Sequence, residues 1–278
     1  MPLVYLNGTF VDAAHAAISP FDIGLLRGYA VFDLLRTVHG RPFLLAEHLQ
    51  RLRSSAAELG LRVPIDDAEI TAAIERLLEA NGHEEATVRL VLTGGESPDG
   101  MSFDAETPTF LIMTHELHEP PAALYEQGGR LVLKRHVREM PKAKTTNYIT
   151  MLRHRDETVS AGALDLLYHD GERVYEAASA SVYFITGSTI LAPEKDVLWG
   201  TIGSLVLEIA GAGYEVVHRD VTLAEALAAD EVFLTSTTRG IVPIVALGEH
   251  VIGDGTPGPV VRELMAAYRQ RVFGEDAS

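Results

Sequence analysis

An α+β fold in two domains is what the amino-acid sequence predicts, and three observations carry it. Short strands and amphipathic helices follow one another without the regular βαβ spacing of a doubly wound or barrel fold. A segment at 116–129 gathers Pro120-Pro121 and Gly128-Gly129 among acidic residues, a composition that regular elements do not tolerate. The 278 residues, 47% of them hydrophobic, suffice to bury one large or two medium cores. The expectation is a small N-terminal α+β domain at 1–115, an interdomain linker at 116–129 and a larger domain at 130–278.

Leu3-Val4-Tyr5-Leu6 reads as a strand, Asn7-Gly8 as a hairpin turn and Phe10-Val11 as the return strand. Ser19 to Gly28 is a glycine-bearing loop, and Ala30 to Val38 a strand closed by His39-Gly40. Leu45, Leu49, Leu52 and Ala56 recur at helical spacing, which predicts a helix from Leu44 to Leu59. A second helix over 67–80 starts at Asp66-Asp67 and stops at Asn81-Gly82. Strands are expected at 86–93 and 109–114. Beyond the linker the pattern predicts a strand at 130–136, a helix over 146–161, and strands at 163–168, 173–176 and 181–185. A further strand precedes Pro193. It is followed by a helix at 202–212, a strand at 214–217, a helix at 222–228, a strand at 231–235 and a terminal helix at 257–273.

The formal net charge of −16 repels nucleic-acid backbones and acidic lipid, so neither is expected as a partner. Without cysteine there is no disulfide framework, cysteine nucleophile or thiolate metal site, and no metal is expected. No apolar stretch reaches membrane-spanning length, and Met1 to Tyr5 lacks the charged start of a secretory signal. The reading is of a soluble, cytoplasmic chain. No GxGxxG or GxxxxGK[ST] nucleotide-binding stretch is present. Of 23 basic residues only Lys134, Lys142, Lys144 and Lys195 are lysines, which leaves few candidates for an amine nucleophile.

Three neighbourhoods could carry chemistry. In Pro141-Lys142-Ala143-Lys144-Thr145-Thr146-Asn147-Tyr148, a lysine whose pKa is lowered by burial or by nearby cations would be nucleophilic, although such a pair is commonly just solvated surface. Glu176 ends an expected strand and is followed by small residues; a carboxylate there could keep a pyridine nitrogen protonated while a flat cofactor approaches the backbone. Gly200-Thr201-Ile202-Gly203 opens a helix, where free N–H groups favour an anion, and Ser236-Thr237-Thr238-Arg239-Gly240 offers hydroxyls after a strand. Arg51, on the helix of His48, could add a forked contact to phosphate. Taken singly, each is an ordinary turn, cap or surface composition.

In combination and in this order, the motifs resemble the fold-type IV pyridoxal-phosphate enzymes, a family that includes branched-chain and D-amino-acid aminotransferases, amine transaminases and aminodeoxychorismate lyases. The stretch Phe43 to Leu52 is similar to the family helix with its phosphate-binding arginine, here Arg51. Lys144-Thr145-Thr146-Asn147-Tyr148 resembles the segment whose lysine forms the Schiff base, and Glu176 falls at the pyridine-nitrogen glutamate. Gly200 to Gly203 and Asp230 to Pro243 resemble the two phosphate loops. The resemblance implies a two-domain fold-type IV architecture with a cofactor-binding second domain, pyridoxal 5'-phosphate as cofactor, a homodimer as the minimum assembly, and an amino acid and a 2-oxo acid as substrates. Lys144 would be catalytic, and Arg51, Glu176, Thr201, Ile202, Gly203, Thr237 and Thr238 would hold the cofactor with it. Two departures stand out: Ile202 occupies the usual threonine position, which removes a hydroxyl, and Ser181 replaces a common asparagine.

For the substrate, the resemblance points to Arg27 in a glycine-flanked loop, Arg89 on its strand, Phe32 beside them and Arg239 by the threonine loop. The familiar D-enzyme arginine-glycine signature is missing, with Thr93-Gly94-Gly95 in its region. Guanidinium forks match carboxylates, so an arginine-rich pocket favours transamination of a D-amino acid such as D-alanine or D-glutamate with 2-oxoglutarate. An L-branched-chain aminotransferase, an aminodeoxychorismate lyase and a catalytically silent ligand-binding scaffold are the alternatives.

Overall fold

The computed structural model describes residues 2–274. The chain forms two compact units. One holds the chain up to His118 together with Lys142–Asn147; the other holds Glu119–Pro141 and the chain from Tyr148 onward.

The first unit begins with β1 (Leu3–Leu6) and β2 (Thr9–Asp12), joined through Asn7 and Gly8. Both turn residues have positive φ, the condition for a two-residue turn whose twist matches the strands. Then come α1 (Ile23–Arg27), β3 (Ala30–Val38), β4 (Arg41–Pro42), α2 (Leu45–Glu58), α3 (Asp67–Asn81), β5 (Ala86–Thr93) and β6 (Thr109–Glu116). The sheet order is β2-β1-β6-β5-β3-β4, antiparallel throughout. Side chains alternate across a strand, so Val31 and Leu35 of β3, Val88, Leu90 and Leu92 of β5, and Phe110 and Ile112 of β6 share one face. They form a core with Leu49 and Leu52 of α2 and Ile70, Ile74 and Leu77 of α3. Asp66 and Glu69 close a capping box on α3, and Gly82 ends that helix in the left-handed conformation. The opposite parity, Phe32 on β3 with Arg89 and Val91 on β5, lies on the other face.

The returning segment, residues 142–147, runs beside β3. Phe32 donates its N–H to the Lys144 carbonyl (2.9 Å), Thr146 donates to the Ala30 carbonyl (3.1 Å), and Val31 and Thr145 form a bridge. The sequence reading assigns these residues to the second domain. The hydrogen bonds of a strand edge draw them into the first unit instead.

In the second unit α4 (Ala122–Gln127) occupies what the sequence reads as linker. It is followed by β7 (Gly129–Arg135), α5 (Ile149–Arg153), α6 (Arg155–Ser160), β8 (Asp165–His169), β9 (Arg173–Ala177), β10 (Ser181–Thr186), β11 (Thr189–Ala192) and α7 (Thr201–Ala210). Then come β12 (Glu215–His218), β13 (Val221–Thr222), α8 (Leu223–Leu227), β14 (Glu231–Ser236), β15 (Gly240–Leu247), β16 (His250–Val251) and α9 (Pro259–Phe273). The sheet runs β12-β11-β10-β14-β15-β7-β8-β9-β13, with β16 beside β15. It mixes parallel pairs (β11 with β12, β15 with β7, β7 with β8) and antiparallel ones.

Two expectations are corrected here. The helix over 146–161 is two short ones meeting at His154. Strand β15 is absent from the sequence reading because Pro243 interrupts its apolar run. Pro243 faces Phe233 of β14, and pairing with β7 starts only at Ile244, so the missing N–H leaves no gap in that ladder. Among the described residues no helix is long and apolar enough to cross a membrane.

Candidate active site

In the first unit α2 directs a stripe of polar side chains at β3 and the returning segment. His48, Arg51 and Ser55 recur at helical spacing, and His48 and Ser55 are fully buried. Their counterpart is Asp33, a buried carboxylate on the core face of β3. Arg51 grips it with two bonds, Nε to Oδ2 (2.8 Å) and Nη2 to Oδ1 (2.8 Å); His48 Nδ1 lies 2.7 Å from Oδ1, and the Leu34 N–H also donates to it. Burial alone would raise the Asp33 pKa, but Arg51 and His48 outweigh it and hold the carboxyl well below the usual carboxylate range. Burial lowers the His48 pKa against the pull of Asp33, and the positive charges of Arg51 and Lys144 act in the same direction. The imidazole is therefore neutral at pH 7. Arg51 keeps its Nη1 edge free of any partner among the described residues, with 13% of its side chain exposed.

Ser55, one turn further along α2, accepts the Lys144 N–H at 3.0 Å. This bond and the two to β3 fix the lysine's backbone on both sides. Lys144 Nζ then lies 4.7 Å from the centre of the Phe32 ring, and the Arg89 guanidinium lies 5.0 Å from the same centre. Lys142, two residues earlier, is exposed. The pair that looks equivalent in the sequence is thus separated by packing: one lysine is held against a buried aromatic ring, the other faces water.

Arg27 is exposed in the last turn of α1 and donates to the neighbouring Leu26 carbonyl (3.0 Å). The sequence reads this region as loop. The helix forms because Asp22, itself buried, caps it through Gly24 (2.7 Å) and accepts hydrogen bonds from Thr93 (2.8 Å) and Thr109 (2.6 Å) at the ends of β5 and β6. Gly24 is required there, since a Cβ would stand 2.6 Å from a Thr93 methyl.

In the second unit Glu176 is buried at 7% exposure near the end of β9. Its Oε1 accepts from Arg138 Nη1 (2.7 Å) and its Oε2 from the Leu198 N–H (3.3 Å). Arg138, which the sequence analysis does not single out, also donates to the Pro141 carbonyl (3.2 Å). Helix α7 starts at Gly200 with no side-chain cap. A Cβ on Gly203 would lie 2.0 Å from the Tyr183 hydroxyl, and one on Gly200 would lie 2.7 Å from Ser181 Oγ. The uncapped helix start is therefore lined by hydroxyls packed closely against bare backbone, a cradle whose N–H groups suit a phosphate. Ile202 is buried and Thr201 half-buried, so this cradle offers backbone at 202, as the missing hydroxyl there requires.

Thr237 and Thr238 are half-buried in the turn between β14 and β15. Arg239, expected at a substrate carboxylate, is tied to neighbouring side chains through two of its nitrogens. Its Nε donates to Ser236 Oγ (2.9 Å) and its Nη2 to Ser179 Oγ (2.8 Å), 3.8 Å from Asp165. Ser179 in turn donates to Asp165 through its N–H (3.1 Å) and its hydroxyl (2.6 Å). A buried carboxylate nearby outcompetes solvent for the guanidinium, and the result is a staple on the threonine turn.

The sequence pattern of the family described as amino-transferase class IV matches residues 30–247. The chain belongs to that family. The matched stretch of this class IV aminotransferase contains Phe32, Arg51, Arg89, Lys144, Glu176, Gly203, Thr237 and Arg239, while Arg27 lies just before it. A putative branched-chain-amino-acid aminotransferase of Methanocaldococcus jannaschii is 30% identical over 277 residues, covering 96% of this chain and 95% of that one. The D-alanine aminotransferase of Bacillus licheniformis is 29% identical over 284 residues, covering 99% and 98%. Among solved structures, the T.th. branched-chain amino acid aminotransferase with pyridoxamine 5'-phosphate superposes with a TM-score of 0.88 at 28% identity, covering 98% and 94%. The branched-chain enzyme of Escherichia coli, at 23% identity and a TM-score of 0.89 over 99% and 95%, shares the fold.

Proposed function

We propose that this aminotransferase uses pyridoxal 5'-phosphate to move an amino group from a D-amino acid, such as D-alanine or D-glutamate, to a 2-oxo acid such as 2-oxoglutarate. The observation that carries the reading is the pairing of Lys144 and Arg89 around one Phe32 ring. A carboxylate-binding fork beside an amine suits a substrate that bears both an acid and an amino group. When bound, pyridoxal phosphate supplies an electron sink that makes the substrate's Cα proton removable.

Lys144 would hold the cofactor through Nζ and, once the incoming amino group had displaced it from that linkage, its freed amine would carry the proton lost from substrate Cα. The backbone bonds of Lys144 to Ser55 and Phe32, and of Thr146 to Ala30, keep that amine in place. Glu176, which accepts a hydrogen bond from Arg138, would accept another from the protonated pyridine nitrogen. Arg51 would give its Nη1 edge to the phosphate. The N–H groups of Thr201, Ile202 and Gly203 and the hydroxyls of Thr237 and Thr238 would be the phosphate ligands of the second unit. Arg89 and Arg27 bind carboxylates, and Phe32 orients the substrate. The assembly is a homodimer.

A second reading, L-branched-chain transamination, is favoured by a specific feature: Val91, Leu111 and Met113 share the sheet face of Phe32 and Arg89 and are half-buried, so an apolar side chain has a surface to meet. The deciding test is the visible spectrum of the reconstituted enzyme mixed separately with D-alanine, D-glutamate and L-leucine. Bleaching of the yellow band by the D-compounds is expected; bleaching by L-leucine alone would replace the first reading with the second.

A further inference from the structure

Arg51 differs from an ordinary surface arginine in how completely one side of its guanidinium is committed. Nε and Nη2 both meet Asp33, and that carboxylate has no access to water. His48, equally buried, adds a third contact to Asp33 at 2.7 Å. The free Nη1 edge faces away from these bonds. An arginine binds an oxyanion well only when its plane is held, because freezing a mobile guanidinium costs rotamer entropy at the moment of binding.

We propose that Asp33 and His48 are positioning residues for Arg51: together they fix the guanidinium plane so that its Nη1 edge receives the phosphate of the cofactor. The inference rests on the reading that Arg51 holds that phosphate. Two effects of Asp33 oppose each other. Its charge repels an anion at Arg51, whereas its two-point grip holds the clamp ready. The grip dominates, because the carboxylate's charge is already neutralised at 2.8 Å by the arginine and the alignment of the fork is what a charged hydrogen bond needs.

The test compares binding of pyridoxal phosphate with binding of pyridoxal, which lacks the phosphate, to the apoenzyme of each variant. The readout is the ratio of the two dissociation constants, measured alongside the circular dichroism of each variant. Arg51→Gln should lower the preference for the phosphorylated form, and Asp33→Asn should lower it about tenfold, the size of a misaligned charged hydrogen bond. In the Arg51→Gln background Asp33→Asn should add nothing. If Arg51→Gln leaves the ratio unchanged, the phosphate reading of Arg51 is wrong. If Arg51→Gln lowers the ratio while Asp33→Asn leaves it unchanged, raises it, or weakens both ligands equally, the positioning role is wrong. Should Asp33→Asn fail to fold, His48 decides. His48→Asn puts an amide donor where Nδ1 stands and should keep the preference, while His48→Leu should reduce it; equal ratios in these two variants overturn the proposal.

Discussion

The two units each bury an aspartate beside an arginine, and the two pairs behave in opposite ways. In the first, Arg51 contacts both Asp33 oxygens at 2.8 Å, and the carboxyl is driven well below its ordinary range despite complete burial. In the second, Arg239 stands 3.8 Å from Asp165 with Ser179 bonded to both, and burial wins, raising the Asp165 pKa. Burial is alike; Arg51 at bonding distance and the His48 contact lower the first carboxyl, whereas the extra ångström and the intervening hydroxyl leave burial dominant in the second. Attraction between charges weakens with distance while the desolvation penalty of each stays. The close pair holds its arginine against β3, and the looser pair ties its arginine to the turn between β14 and β15.

The largest effect that bears on this contrast lies beside the first pair. Lys144→Ala should lower transamination by about a thousandfold or more, the scale of losing an acid–base group. Lys142→Ala should stay within about twofold, since that side chain is exposed. Steady-state assays with a shared donor separate the two, and equal losses would mean that the packing difference between the lysines has no chemical weight.

Next in size is the loss of each carboxylate. Asp33→Ala strands Arg51 and His48 and should destabilise the protein by about 3 kcal/mol in chemical denaturation. Asp165→Asn keeps an acceptor for Ser179 and should cost within about 1 kcal/mol. The pH dependence sharpens the contrast. The depressed Asp33 pKa contributes stability that is present above about pH 4 and lost only as pH falls through its lowered folded value. The raised Asp165 pKa works the other way: its contribution is present below about pH 4 and lost as pH rises through the elevated folded value. Asp165→Asn should therefore gain stability relative to the parent as pH climbs from about 4, and Asp33→Asn should not; melting curves across that range would show parallel slopes if the pairs were alike.

A smaller effect concerns the cradle at α7. Gly203→Ala should cost about 1–3 kcal/mol, because its Cβ would collide with the Tyr183 hydroxyl. Tyr183→Phe removes that oxygen, so the double variant should recover part of the loss. Asp66→Ala, which only opens a capping box on α3, should cost about 1 kcal/mol and leave cofactor affinity unchanged.

Much of this was legible in the residues. The hairpin at Asn7-Gly8, the leucine spacing of α2 and the Asp66 cap are local signals, and local signals survive folding. Lys144, Glu176 and Gly203 stand out in the sequence because several motifs follow a fixed order, and their roles are part of the proposed function. What could not be read depends on partners far along the chain. Strand β15 hides behind Pro243, whose tolerance depends on where β7 begins. The hold on Arg239 involves Asp165, 74 positions earlier by residue number. Asp33 offered a signal that went unused: it shares the parity of Val31 and Leu35, so a charge on the core face had to find a buried partner. The i, i+3 placement of His48 and Arg51 supplies that partner.

The bond between Ser55 and the backbone of Lys144 spans 89 positions of sequence. A nascent chain therefore exposes α2, its polar stripe and the open edge of β3 well before the lysine has been made. Until residues 142–147 emerge, Ala30 and Phe32 lack the partners that complete that edge. Lys144 is thus added about halfway through synthesis, after the residues that hold its backbone, and a polypeptide that stops at His118 would carry those residues without it. Such long-range closure is slow and sensitive to competing strand edges, so the yield of active protein depends on how long that edge waits.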